Sequence, residues 1–521
     1  EAKRRRVTVD RKRPDDKFKF HFLSMIIKKI KNYRKEVTRA SVLYHLRSTV
    51  TRLRFASAGE AVIHFGIPKI TILYPQTIAP MKINSFLFRC TLVAALGGFL
   101  FGFETAVISG ADKTIQQLWS LNSFWQGFTI AASLIGTVIG AAIAGMPAQR
   151  WGRKRVLIVI ALLYLASAIG CALTSTWLLF VSFRIIGGIA VGASSVIGPM
   201  YISEIAPAKV RGRLAGMFQL NIVAGIFIAY LTNFLFVSLG NEAWRWMLGI
   251  MAVPAGIFAL LLRGIPESPR WLILNNRDEE AARIFIRTGE PDAGKLIREE
   301  HDLSKQGTKE SLFNGKFKKP ILYAMLLAMF NQLSGINAIL YYAPRIFEMA
   351  GFDKAQSYLQ PVYIGAANLL FTFLAMTIID KVGRKTLLIT GCVGMIIFLA
   401  LTAGAFHNTG HANSMVLIYL LGFIAFFAFS QGAVIWVFIS EIFPNSVRSQ
   451  GGSLGSFTHW IMAAIISWTF PIIVEGSPNG GFYSFIFYSL MTLVSLIFIW
   501  RVMPETKGRS LEEIQKDLGI V

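Results

Sequence analysis

Twelve apolar runs, each long enough to cross a bilayer as a helix, constrain this chain more than any other feature. They lie near residues 86–110, 124–147, 156–173, 177–203, 214–238, 246–262, 320–350, 358–379, 386–406, 414–440, 453–474 and 482–503. The hydrocarbon core of a membrane is about 30 Å thick and takes roughly 20 helical residues. Inside it, backbone N–H and C=O groups must pair within the segment, so runs of this length read as helices. With 54% hydrophobic and 16% charged residues, the 521-residue chain is too apolar for one soluble core. The fold class expected is an all-α membrane protein with twelve transmembrane helices. Cys90, Cys171 and Cys392 all fall inside apolar runs without metal-ligand spacing, and read as packing residues.

Basic side chains orient the spans, because Lys and Arg are retained on the cytoplasmic side. Arg150, Arg153, Lys154 and Arg155 lie between spans 2 and 3, Lys209, Arg211 and Arg213 between 4 and 5, and Lys381, Arg384 and Lys385 between 8 and 9. The alternate loops hold only Lys113 and Lys354, with Arg245 at the edge of span 6. Both ends of the bundle are therefore expected to be cytoplasmic. The expected organisation is a basic extension over 1–80, a six-helix half over 81–263, a cytoplasmic helical linker over 264–319, a second six-helix half over 320–503 and a cytoplasmic tail over 504–521. The extension carries net +13 of the chain's +24. It reads either as upstream sequence ahead of a start at Met81 or as a disordered basic arm, and lacks the apolar core of a cleavable signal.

The two halves repeat each other. Ile-Ser-Glu-Ile-Ala-Pro at 202–207 returns as Ile-Ser-Glu-Ile-Phe-Pro at 439–444, Trp-Gly-Arg-Lys at 151–154 as Val-Gly-Arg-Lys at 382–385, and Pro-Glu-Ser-Pro-Arg at 266–270 as Pro-Glu-Thr-Lys-Gly at 504–508. Three motifs in one order at nearly one offset mark a duplication. Parallel repeats of this kind bind substrate between the halves near the midplane and rock to expose it to each side. Gly136 and Gly140, like Gly188 and Gly192, are four residues apart and predict close helix contact. Repeated carboxylates and guanidiniums at one mouth (Arg153, Glu204, Arg211; Asp380, Arg384, Glu441, Arg448) suit a cytoplasmic gate held by directional pairs. Topology-determining charge alone would explain the cations but not the repeated Glu204 and Glu441.

Neutral amides and indoles within spans point to a polyol ligand, whose hydroxyls need groups that both donate and accept and whose faces need an aromatic platform. Gln219, Asn331, Gln332, Asn337, Asn368, Trp436 and Trp460 supply these. An unbonded amide facing lipid costs several kcal/mol, roughly 2–7 by transfer data, so these positions are expected to face a cavity. Glu104 poses a separate problem: a charge near mid-bilayer costs about 2.5–3.5 kcal/mol and normally faces a cavity with a partner, for which Arg184 is the candidate.

The motifs FGFETAVISG (101–110), FRIIGG (183–188), PMYISEIAPAKVRGR (199–213), PESPRW (266–271), NQLSGINAILYYAP (331–344), DKVGRK (380–385), SEIFPNSVR (440–448) and PETKGR (504–509) together resemble the sugar porter family of the major facilitator superfamily. The resemblance covers residues 86–515 and implies the major facilitator fold, alternating access and a monosaccharide-type substrate: a pentose, a hexose or a related polyol. It carries sugar contacts onto Gln219, Asn331, Gln332, Asn337, Asn368, Trp436, His459 and Trp460. Three positions depart from its pattern: Asn331 stands where the first of two glutamines is usual, His459 where an amide is usual, and Ile226 where some relatives have a second glutamine.

In relatives resembling proton symporters an aspartate occupies the position of Glu104. The expected mechanism is that Glu104 takes a proton when facing outward, releases Arg184, and loses the proton after the halves rock. A static Glu104–Arg184 pair in a passive uniporter is the alternative, and a non-transporting sugar sensor a third reading. The expected partners are a monosaccharide, a proton and the lipid bilayer, with no nucleic acid, no cofactor and no metal; the chain is expected to be a monomer in a bacterial inner membrane. No phosphate-binding loop or nucleophile–base pattern supports an enzyme, and His407 and His411 read as solvated loop residues.

Overall fold

The computed structural model describes residues 53–55, 61–63, 84–207, 210–290, 292–305, 310–407, 415–444, 446–507, 509, 511–518 and 520. The chain divides into two units, Glu1–Met81 and Lys82–Val521. In the first, strands β1 (Leu53–Phe55) and β2 (Ala61–Ile63) pair antiparallel with Arg54 opposite Val62. The remainder of the 1–80 extension lies outside the described residues.

The second unit is helical. Its first half holds α1 (Ser85–Val107), α2 (Asp112–Leu118), α3 (Ser123–Ile143), α4 (Gly145–Trp151), α5 (Arg153–Leu173), α6 (Trp177–Ile205), α7 (Arg211–Phe236), α8 (Ala243–Gly249) and α9 (Ala252–Leu262). Three short helices follow, α10 (Pro269–Leu274), α11 (Asp278–Thr288) and α12 (Ala293–Lys305), the last two amphipathic. The second half holds α13 (Lys318–Leu333), α14 (Ile336–Tyr341), α15 (Ala343–Met349), α16 (Lys354–Val382), α17 (Arg384–His407), α18 (Met415–Phe429), α19 (Gln431–Ile442), α20 (Arg448–Glu475) and α21 (Gly480–Arg501), and α22 (Leu511–Leu518) lies in the tail.

Eleven helical runs among the described residues are long and apolar enough to cross a membrane, and one of them, Arg211–Leu262, counts 52 residues. At 1.5 Å per residue such a run is more than twice the thickness of the hydrocarbon. It turns at Val237–Glu242, where Gly240 leaves the helical region with φ 83°, and α9 packs back on α5 and α1. The run is thus two spans, which gives twelve. Outward-facing Leu173, Leu178, Trp246, Leu370, Phe373 and Trp500 are all more than half exposed, an apolar coat that suits lipid. Inside the spans several hydroxyls bond back to their own helix, as Thr137 Oγ1 does to Ser133 O and Thr402 Oγ1 to Phe398 O.

Close approach of α3 and α6 is made by the four glycines. A Cβ on Gly188 would overlap the Ser133 carbonyl oxygen, and one on Gly140 that of Ile189, so the backbones meet where only hydrogen fits. The halves join along two related seams, α3 against α20 and α7 against α16. Asn84, Asn122 and Asp353 cap α1, α3 and α16 by accepting the N–H three residues on. His407 closes α17 with its ring on Phe482 rather than standing in a loop, and His411 lies outside the described residues.

Candidate substrate, proton and gate sites

Seventh-span residues do not form one helix. Gly335, at φ +82°, separates α13 from α14, and a second break at Tyr342 separates α14 from α15, where Pro344 sits in the first turn. Only glycine takes that backbone conformation without strain. The break aims several amides inward. Gln332 Nε2 lies 2.9 Å from His459 Nε2 and donates to Asn331 Oδ1 at 3.2 Å, while Asn337 Nδ2 donates to Gln332 Oε1 at 2.9 Å. The same Gln332 nitrogen lies 3.3 Å from His459 Nδ1, so either ring nitrogen, when unprotonated, can accept from the amide. Trp436 and Trp460 flank that ring, with centroids 4.9 and 4.8 Å away.

These six side chains, from α13, α14, α19 and α20, form one cluster. Asn331, Gln332, Asn337, His459 and Trp460 are buried, and Trp436 is half-buried. Gln219 is half-buried on α7, and Asn368, buried on α16, accepts from Thr372 Oγ1 at 3.5 Å. No hydrogen bond ties either of these two to the six among the described residues. Gln431, which sequence reasoning passed over, is buried beside them: its backbone oxygen accepts from Asn331 Nδ2 at 3.5 Å, and its side-chain Nε2 lies 3.5 Å from Cys392 Sγ. Its position in an apolar span was the available signal.

Glu104 on α1 and Arg184 on α6 form a buried ion pair, with residue exposures of 2% and 1%. Ser133 Oγ on α3 reaches the same carboxylate oxygen at 3.5 Å. Arg184 Nη1 makes the pair, whereas its Nε and Nη2 are buried without a hydrogen-bond partner among the described residues. A buried guanidinium with two idle donor nitrogens is held less firmly than a fully bonded structural pair. Phe101, one turn before Glu104 on α1, packs its ring 5.4 Å from that of Trp460, so the pair and the amide cluster share one helix contact.

At the opposite end of the spans the duplicated motifs build two matching clusters. Arg153 Nη2 bonds Glu204 at 2.8 Å and Arg384 Nη2 bonds Glu441 at 3.0 Å. Ser268 Oγ and Thr506 Oγ1 take the second oxygens of these glutamates, at 2.5 and 2.6 Å. Glu267 accepts from the backbone N–H of Arg153 and Lys154, and Glu505 from those of Arg384 and Lys385. Burial alone would raise the Glu505 carboxyl, but the backbone N–H groups of Lys507, Arg384, Lys385 and Thr506 hold it below the usual range. Arg211 Nη2 and Arg448 Nε reach back to the carbonyls of Ala206 and Phe443, five residues earlier in each repeat. The Asp380 side chain lies outside the described residues. The second-half glutamate of the Pro-Glu-Thr motif was visible in the sequence as a repeat, but not its role as an acceptor for the start of α17.

Residues 90–518 match the family model described as sugar (and other) transporter. The D-xylose-proton symporter of Escherichia coli is 35% identical, over 83% of this chain and 96% of that protein. The arabinose-proton symporter of Bacillus subtilis is 36% identical over 83% and 95%. Among solved structures, a partially occluded inward-open conformation of the E. coli xylose transporter superposes with a TM-score of 0.74 at 34% identity, covering 82% of this chain and all of that one.

Proposed function

Because the chain belongs to the sugar transporter family of the major facilitator superfamily, we propose that it imports a monosaccharide with a proton, and that the residues above divide that work. It is a multi-span membrane protein and a transporter rather than an enzyme. Its organisation is the two halves 81–263 and 320–503, joined by the linker 264–319 and followed by the tail 504–521. The chain acts as a monomer in a bacterial inner membrane, with both termini cytoplasmic. The substrate is a pentose, a hexose or a related polyol, a range that includes the D-xylose and arabinose for which the relatives are named.

Asn331, Gln332, Asn337 and His459 offer hydroxyl partners, and Trp436 and Trp460 the apolar face, with Gln219 and Asn368 closing on the sugar from α7 and α16 as the halves rock. Neutral His459 serves here as an amide does, bonding without charge. Glu104 carries the proton. Protonation cancels the carboxylate beside Arg184, and sugar entering against Trp460 presses on Phe101 and thus on α1. Arg153, Glu204, Arg211, Asp380, Arg384, Glu441 and Arg448 form the cytoplasmic gate. No cofactor or metal takes part.

The observation that carries this reading is the half-satisfied Glu104–Arg184 pair on the helix that touches the indole of the amide cluster. Its test is proton movement. In weakly buffered vesicles without a gradient, adding D-xylose, D-glucose or L-arabinose should alkalinise the outside as one of them enters. Entry of labelled sugar with no pH change would make the chain a uniporter and leave the pair structural.

A further inference from the structure

We infer that Arg345 is the bolt of a charged latch across the outer mouth, joining the two halves opposite the cytoplasmic clusters. Arg345 lies in the first turn of α15, in the second half, and is 4% exposed. Its three donor nitrogens all have partners. Nε bonds Asp112 Oδ2 at 2.6 Å, Nη2 bonds Gln116 Oε1 at 2.5 Å, and Nη1 bonds Glu475 Oε1 at 2.7 Å. Asp112 and Gln116 belong to α2 of the first half, Glu475 to α20 of the second. Gln116 Nε2 also crosses to Glu475 Oε1 at 2.9 Å. One guanidinium fork therefore satisfies a carboxylate from each half, the geometry in which arginine is strongest.

The first-half side of the latch is held in place. Gln126 Nε2 on α3 donates to both the backbone oxygen and the side chain of Asp112, which is 1% exposed. Around this centre two more bonds cross between halves, Tyr358 Oη to Gly110 O at 2.7 Å and Trp468 Nε1 to Phe124 O at 3.0 Å. Lys113 of α2 also pairs with Glu348 of α15. In the cytoplasmic clusters, by contrast, Arg153–Glu204 and Arg384–Glu441 each stay inside one half.

The latch is also joined to the amide cluster by a short lever. Asn337 lies in the first turn of α14 and Arg345 in the first turn of α15, with the break at Tyr342 between them and the Tyr342 ring 5.8 Å from the Arg345 guanidinium. A sugar that draws Asn337 and Gln332 toward itself moves the six-residue helix α14, and α14 carries Arg345 into or out of its fork. Release is abrupt, because withdrawing Arg345 leaves Asp112 buried without its cation. This lever rests on the alternating-access reading; the bolt itself rests on the cross-half bonds.

The test is a distance measurement on the full chain in nanodiscs, with spin labels on Gln117→Cys and Ala355→Cys, exposed positions on α2 and at the start of α16. The three native cysteines are buried. Arg345→Gln should raise the longer-distance, outer-open population relative to the closed one on the order of tenfold or more. Glu475→Gln, at the more exposed end of the fork, should raise it by a smaller factor, and decides the matter if Arg345→Gln does not fold. Distributions that superimpose on the parent's in the folded variants would overturn the latch. Sugar uptake by the same proteins is read separately. An opened mouth in a chain that moves no sugar would remove the transport reading and leave the bolt, while unchanged distances in a transporting chain would remove the bolt alone.

Discussion

Gln332→Leu isolates the centre of the amide cluster with little change in volume. Gln332 makes hydrogen bonds to three different neighbours, at 2.9 Å to His459, 3.2 Å to Asn331 and 2.9 Å from Asn337. A neutral hydrogen bond contributes about 0.5–1.5 kcal/mol net. An amide that meets two sugar hydroxyls therefore supplies about 1–3 kcal/mol of binding. At 1.4 kcal/mol per decade, the variant should bind sugar roughly 5- to 150-fold more weakly. Trp436 and Trp460 sit against His459 and report occupancy through their fluorescence, so a sugar titration followed at tryptophan emission gives both dissociation constants. Helix content by circular dichroism should be unchanged. A dissociation constant within twofold of the parent's for every sugar that the parent binds would refute the placement of sugar at this cluster.

Other outcomes follow from packing and charge. Gly188→Val drives a side chain into the Ser133 carbonyl and should cost about 1–3 kcal/mol of stability, read as a lower thermal midpoint, whereas Gly404→Ala, where a Cβ meets nothing within 4 Å, should be neutral or mildly stabilising. The folded Glu505 carboxyl titrates below its usual range, so its stabilisation is present above the ordinary glutamate value, about 4.3, and is lost as pH falls through the lower folded value. The difference in thermal midpoint between the protein and Glu505→Gln should accordingly be flat from neutral pH to about pH 5 and shrink below it; a difference independent of pH would mean that Glu505 stays charged or never mattered. Phe101→Ala should weaken proton coupling more than sugar binding, seen as fewer protons moved per sugar with a nearly unchanged dissociation constant.

Much of this arrangement was legible because membranes leave few options. Apolar length alone placed all twelve spans, including the separation of 214–238 from 246–262, where the nearly continuous 52-residue helical run turns at Gly240. The cost of an unpaired charge in hydrocarbon singled out Glu104 and Arg184, which do meet. The same reasoning found the amides of the seventh span, but not that Gly335 and Tyr342 break it into three pieces, since Ile336 to Met349 contains no residue that forbids one helix except Pro344. Arg345 escaped notice for a different reason. Its partner Asp112 lies 233 residues away and just past the end of the first span, and no local pattern reports a contact of that range. Gln431 and the acceptor roles of Glu267 and Glu505 are likewise properties of the assembled bundle.

The central claim is that Glu104 couples a proton to the sugar, and uptake into proteoliposomes tests it most directly. With one proton per sugar, an imposed gradient of about one pH unit is worth 1.36 kcal/mol and supports about tenfold accumulation. The parent protein should reach accumulation of that order with its preferred sugar, and Glu104→Gln, which fixes the neutral form of the side chain, should fail to accumulate while still exchanging labelled for unlabelled sugar. Accumulation by Glu104→Gln equal to the parent's, or a parent that only equilibrates whatever the gradient, would contradict it.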